Sequence, residues 1–65
     1  MKNGKISNRD ILSLINKLGK VTTTTEIAGK LKVSWNTAEK ALLELTLDGK
    51  IIRLKKTGVN LWVLK

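Results

Sequence analysis

Residues 23–51 read TTTEIAGKLKVSWNTAEKALLELTLDGKI and contain the signals for two consecutive helices. Thr23 and Glu26 make a T-x-x-E pattern, in which the hydroxyl and the carboxylate each satisfy a free backbone N–H at the start of a helix. The apolar residues that follow recur at helical spacing. The pattern therefore predicts a helix over 24–31 that buries Ile27, Ala28 and Leu31.

A second helix begins after a very short connection. Lys32 and Val33 separate the first helix from Ser34, which is a favoured N-cap residue. The stretch predicts a helix that runs to about Leu47 and ends at Asp48-Gly49. Its buried stripe consists of Ala38, Ala41, Leu42 and Leu45.

The flanking sequence predicts one more helix and three strands. Residues 8–18 carry aliphatic side chains at helical spacing, with Ser7 and Asp10 as a capping pair and Gly19 as a left-handed stop. Residues 20–22 are expected to form a short strand. Residues 51–55 and 60–64 are expected to form a hairpin whose turn, 56–59, uses the positive φ of Gly58.

Two short helices joined by a tight turn are typical of the helix-turn-helix motif. The quoted stretch resembles the winged helix-turn-helix families of prokaryotic and archaeal transcription regulators, in which a T-x-E-I-A-x-x-L-x-V-S-x-x-T-A/V-x-x-x-L-x-x-L-x-x-x-G-x-I run recurs. The matching positions are Thr24, Glu26, Ile27, Ala28, Leu31, Val33, Ser34, Thr37, Ala38, Leu42, Leu45, Gly49 and Ile51. The resemblance implies an α+β fold in the order helix, strand, helix, helix, strand, strand, with the terminal hairpin as the wing.

Composition limits the function classes. The 65 residues include 13 Lys and Arg against 5 Asp and Glu, a formal net charge of +8, and residues 49–65 contain no acid. Clustered positive charge is typical of a phosphate-facing surface. The chain has no Cys and no His, so no disulfide, metal site or cofactor is expected. The sequence also shows no nucleophile paired with a base, so we do not expect an enzyme.

The same sequence predicts a single domain and the cellular location of the protein. Residues 1–6 are expected to form a flexible N-terminus and residues 7–65 a single domain. The longest apolar run, 61–64, is far too short to span a bilayer, and the polar N-terminus lacks a signal peptide. We therefore expect no membrane association and a cytoplasmic, nucleoid-associated protein.

Duplex DNA is the predicted partner, because a major groove admits one helix and the N-terminal residues of that helix reach base edges. Trp35 shares part of the Ala38 face, so it either caps the core or packs its edge on the DNA backbone; Trp62 is expected in the core. The predicted contacts in the recognition helix are Ser34, Trp35, Asn36, Thr37 and Lys40. Those in the wing are Arg53, Lys55, Lys56, Thr57 and Asn60, the last two at its tip, and the backbone anchors are Thr24, Lys30 and Lys32.

Leu43 and Leu47 depart from the family pattern, which usually has charged residues there. Two adjacent exposed leucines predict a contact surface, here a homodimer interface. They also keep a second function open, a winged-helix protein-interaction module of a transcription or replication assembly. Structured RNA is a weaker alternative because an A-form major groove excludes a helix. No pocket for a small-molecule effector is evident.

Overall fold

The computed structural model describes residues 7–65, and the predicted flexible N-terminus, residues 1–6, lies outside the described residues. The elements follow the predicted order and form an α+β winged helix-turn-helix fold. They are α1 (Asn8–Lys17), β1 (Val21–Thr23), α2 (Thr24–Leu31), α3 (Trp35–Leu47), β2 (Ile51–Lys56) and β3 (Val59–Leu64).

Each helix begins at a hydroxyl side chain that accepts a hydrogen bond from a backbone N–H of the first turn. Ser7 accepts from Arg9, Thr23 accepts from Glu26 at 3.2 Å, and Ser34 accepts from Thr37 at 3.1 Å. The Glu26 carboxylate differs from the predicted capping box, because it accepts from the Thr22 hydroxyl at 3.1 Å.

The three strands form one antiparallel sheet in the order β1-β3-β2, so the wing hairpin extends past the end of the shorter β1. Trp62 lies opposite both Thr22 and Arg53, and paired residues point to the same side of a sheet. We call the side of Trp62 the inner face. The opposite side, which carries Val63 and its partners Val21 and Ile52, is the outer face.

All three helices contribute to one core on the inner face. Its buried members, every one at most 2% exposed, are Ile11, Ile15, Ile27, Ala38, Leu42, Leu45, Ile51 and Trp62. The predicted burial of Trp62 is confirmed. Ala28, Leu31 and Ala41 are partly buried around this core, because the small helices leave their flanks open to solvent.

Strand boundaries differ slightly from those predicted. The first strand begins at Val21 rather than Lys20, because Gly19 and Lys20 both have positive φ and complete the turn that leaves α1. The hairpin strands extend to Lys56 and start again at Val59, so the turn is only Thr57-Gly58. Both turn residues have positive φ, 48° and 79°, which is the geometry of a tight type I′ hairpin.

Thr57 is an unfavourable residue for this turn, because a β-branched side chain is strained at positive φ. We expect Thr57→Asn to raise the free energy of unfolding by about 1 kcal/mol, since Asn-Gly is the preferred type I′ pair. Urea unfolding checks this as a shift in midpoint at constant slope. Thr57→Val keeps the branched Cβ and should give no gain; an equal gain for both would contradict the argument.

Candidate nucleic-acid interface

Three elements that were predicted to contact DNA converge on one hollow of about 290 Å³. Beyond the end of β1, no strand of residues 7–65 lies beside the edge of β3, and the hollow lies there. It is lined by the start of α2 (23–25), by Trp35 at the start of α3, and by Gly58, Val59 and Asn60 of the wing. The fold therefore brings the beginning of the recognition helix next to the wing.

The exposed stripe of α3 changes character along its length. Asn36 and Lys40 are exposed and four residues apart, so they lie on one face of the first turns. Glu44 and Leu47 continue the exposed surface in the second half. Only the N-terminal half of this stripe has groups suited to an anionic partner.

Ser34 and Thr37 interact with each other at the cap. The Ser34 hydroxyl donates to the Thr37 hydroxyl at 2.8 Å while it accepts from the Thr37 backbone N–H. The Ser34 proton is therefore already used. The Thr37 hydroxyl keeps its own proton for an external acceptor, although the side chain is partly buried.

The register divides the wing cations between two faces. Arg53 pairs with Trp62 and Lys55 pairs with Asn60, which places both cations on the inner face, the side of the helices. Lys56 pairs with Val59 on the outer face. Thr57 lies in the turn as predicted, and all four side chains of 53 and 55–57 are exposed.

Asn60 is not at the tip of the wing, contrary to the prediction. It is the second residue of β3, partly buried, and lines the hollow. Its Oδ1 atom is buried, and no donor among the described residues hydrogen-bonds to it. Asn60 therefore offers an unpaired acceptor at the hollow rather than a polar group on the hairpin turn.

A buried chain of hydrogen bonds connects the wing to both helices of the motif. The Trp62 Nε1–H donates to Thr24 Oγ1 at 2.9 Å, and the Thr24 hydroxyl donates to Glu39 Oε1 at 2.8 Å. Thr24 is only 4% exposed. The predicted role of the Thr24 side chain as a DNA anchor is corrected, because its hydroxyl is enclosed and both donates and accepts within the protein.

Thr24→Val should lower the free energy of unfolding by about 2 kcal/mol, because it leaves Trp62 Nε1 without an acceptor and Glu39 without this donor. Thr24→Ser keeps the hydroxyl and is expected to lose under about 1 kcal/mol. Thermal unfolding of the two variants measures the difference. Equal losses would show that the hydroxyl contributes no more than the methyl group, which would contradict the argument.

The remaining predicted contacts have mixed outcomes. Trp35 is 50% exposed and lies outside the core, so the core-capping alternative is wrong and its indole lines the hollow. Lys30 and Lys32 are exposed around the end of α2, where Lys32 adopts a left-handed C-cap conformation with φ of 57°. Their side chains are accessible to a partner.

The proposed dimer surface is only partly present. Leu47 is 87% exposed, as expected. Leu43 is corrected: it is partly buried and packs against the core, because its side of α3 turns towards the other core elements. The homodimer stays a prediction that depends on Leu47 alone.

Two features of the site have no signal in the sequence: the burial of Glu39 and the hollow. Glu39 is partly buried and accepts from Thr24, fifteen positions earlier. No local pattern signals a contact at that separation. The position of the hollow depends on where β1 ends along β3, and the pairing register of the two strands determines that point.

These features define a winged helix-turn-helix domain with a polar recognition-helix start and a cationic inner wing face. A family model described as FaeA-like protein matches residues 7–65. The chain therefore belongs to the FaeA-like family, a family of winged-helix regulators rather than enzymes. No match was found among curated proteins or among solved structures. Within residues 7–65, no helix is long and apolar enough to cross a membrane.

Proposed function

We propose that this chain binds duplex DNA as a transcription regulator. The N-terminal end of α3 enters the major groove, and the inner face of the wing contacts the flanking backbone. The second half of α3 stays out of the groove, because the Glu44 carboxylate there would repel phosphate.

The observation that carries this proposal is the convergence at the hollow. Trp35 opens α3 and shares the hollow with residues 58–60 of the wing, so helix and wing can meet one ligand together. The inner-face cations Arg53 and Lys55 lie on the side of the sheet against which α3 packs. A polyanion seated on the start of α3 would therefore meet positive charge from the wing.

Each accessible group has a suitable role. Asn36 can pair bidentately with adenine, and Lys40 can reach a guanine or a phosphate. The Thr37 hydroxyl can donate to a phosphate. The first backbone N–H groups of α3 have no partner within the helix, and such groups favour phosphate oxygens.

The hollow favours contact with the sugar–phosphate backbone. The half-exposed indole of Trp35 supplies an apolar surface for a sugar, and the exposed Thr25 supplies a hydroxyl beside it. Exposed Lys30 and Lys32 serve as backbone anchors at the turn before α3.

A fluorescence-anisotropy titration tests the proposal with duplex DNA, single-stranded DNA and structured RNA at one salt concentration. The duplex should bind most tightly, because a B-form major groove admits α3 and an A-form groove does not. Equal or tighter binding of single strands or RNA would contradict the proposal.

Lys40→Ala combined with Lys55→Ala should weaken duplex binding at least about tenfold, because we propose that both side chains contact phosphates or base edges. The matched control is Lys50→Ala with Lys65→Ala, which removes the same two charges from the outer face. The two control lysines continue the β2–β3 ladder, with Lys65 N–H donating to Lys50 O at 3.2 Å. If both double variants lost a similar amount of duplex affinity, net charge alone would explain the effect.

A further inference from the structure

The outer face of the sheet is apolar, and no helix or strand of the described residues 7–65 covers it. Its central residues are Val21, Ile52, Leu54, Leu61 and Val63, which the register places on the same side. Val21, Ile52 and Leu54 are 42%, 43% and 51% exposed, and Leu61 and Val63 are partly buried. The exposed face of an antiparallel sheet is ordinarily polar, so five aliphatic side chains there indicate a contact surface.

Lysines close this face at both ends. Lys50 and Lys65 follow the row formed by Val21, Val63 and Ile52, and Lys56 follows Leu54 at the other end. Residues 49–65 contain no acid. The surface thus has an aliphatic centre between two positively charged ends.

We infer that the outer face binds an amphipathic helix of another protein, one with aliphatic residues on its central turns and acidic residues at both ends. Residues two apart on a strand are separated by about 6.7 Å, close to the roughly 6 Å between residues i and i+4 of a helix. Three strands span about 10 Å, the diameter of a helix. Acidic residues one turn beyond the aliphatic centre would reach the lysines.

A second copy of the chain fits this surface poorly. Its outer face would bring lysines against lysines, and each chain has a formal net charge of +8. An acidic partner meets the same ends with opposite charge.

An anionic membrane is also less suitable, because surface-binding segments commonly insert aromatic side chains. Both tryptophans of this chain lie elsewhere: Trp62 is buried on the inner face and Trp35 lines the hollow. The outer face is opposite the inner-face cations, so it stays accessible when DNA occupies the other side.

The test is an NMR titration of the full chain with a stapled four-turn peptide that has leucines on one stripe and glutamates at both ends. A second peptide has lysines in place of the glutamates. Anionic vesicles form a third arm. We expect the acidic peptide to bind and to shift the amides of the outer face, with the lysine peptide at least about tenfold weaker.

The double variant Ile52→Thr, Leu54→Thr should bind the acidic peptide at least tenfold more weakly, and threonine keeps a strand-forming residue at both positions. Leu47→Thr, an exposed leucine of α3, is the control and should leave this affinity unchanged. The Lys50→Ala, Lys65→Ala variant should also bind the acidic peptide more weakly. Duplex DNA affinity, measured in parallel, should be unchanged in every one of these variants, so this proposal and DNA binding can fail separately.

Four results would overturn the inference. The acidic peptide could fail to bind, or the two peptides could bind equally. The chain could instead sediment as a dimer that the Ile52→Thr, Leu54→Thr variant dissociates, which would make a second copy the occupant. Vesicle binding that the same variant abolishes, without peptide binding, would assign the face to a membrane.

Discussion

Trp62→Ala is expected to leave the chain largely unfolded at room temperature. Trp62 is fully buried at the centre of the core and donates to Thr24. Truncation of a buried tryptophan costs about 3–5 kcal/mol. A single hydrophobic core in a domain of this length rarely supplies more than about 3–5 kcal/mol of stability, so this one substitution removes most or all of it. Circular dichroism against temperature measures the loss.

Two variants separate the causes. Trp35→Ala removes the same residue type from a half-exposed site and should change the free energy of unfolding by less than about 1 kcal/mol. Trp62→Phe fills much of the volume but has no N–H, so its loss should lie between the two alanine variants. If Trp62→Ala were no more destabilising than Trp35→Ala, the described core would be wrong.

The second large effect concerns salt. The accessible cations on the proposed DNA-facing surfaces are Lys30, Lys32, Lys40, Arg53 and Lys55, whereas Lys56 lies on the outer face. Five phosphate contacts predict that log K falls with log salt at a slope of about −4.5. Duplex affinity should therefore fall about five hundredfold between roughly 50 and 200 mM salt.

The slope also identifies which cations are used. The Lys40→Ala, Lys55→Ala variant should make the slope shallower by about two, since each lost phosphate contact removes about one counterion. The outer-face variant, Lys50→Ala with Lys65→Ala, should leave the slope unchanged. A wild-type slope near zero would show that phosphate neutralisation does not drive binding and would contradict the proposed interface.

Helix starts were predictable because their signals are local. Thr23 and Ser34 cap α2 and α3 as expected, since a hydroxyl bonds to a backbone N–H only three residues later. Even here one detail was decided by neighbours: the Glu26 carboxylate bonds to the Thr22 hydroxyl instead of completing the capping box. The side chain had two acceptable donors, and the pattern alone could not choose between them.

The candidate interface was predictable only in part. Asn36 and Lys40 are exposed on α3 because helical periodicity places them away from the core stripe. Thr24 is one of the positions that match the family pattern, yet it is buried under Trp62 and Glu39. These partners lie far apart in the sequence, so only the packing of β3 and α3 on α2 reveals them.

Local patterns were enough to predict the order of the elements, the capped starts of the three helices, the aliphatic core stripes and the positive charge of residues 49–65, because each depends on residues within one or two turns. The tertiary structure alone decided which wing cations face the helices and that Ile52 and Leu54 form an open apolar face. The physical reason is the period of two in a strand: a shift of one residue in register exchanges the two faces, and register is fixed by pairing and packing across the whole domain.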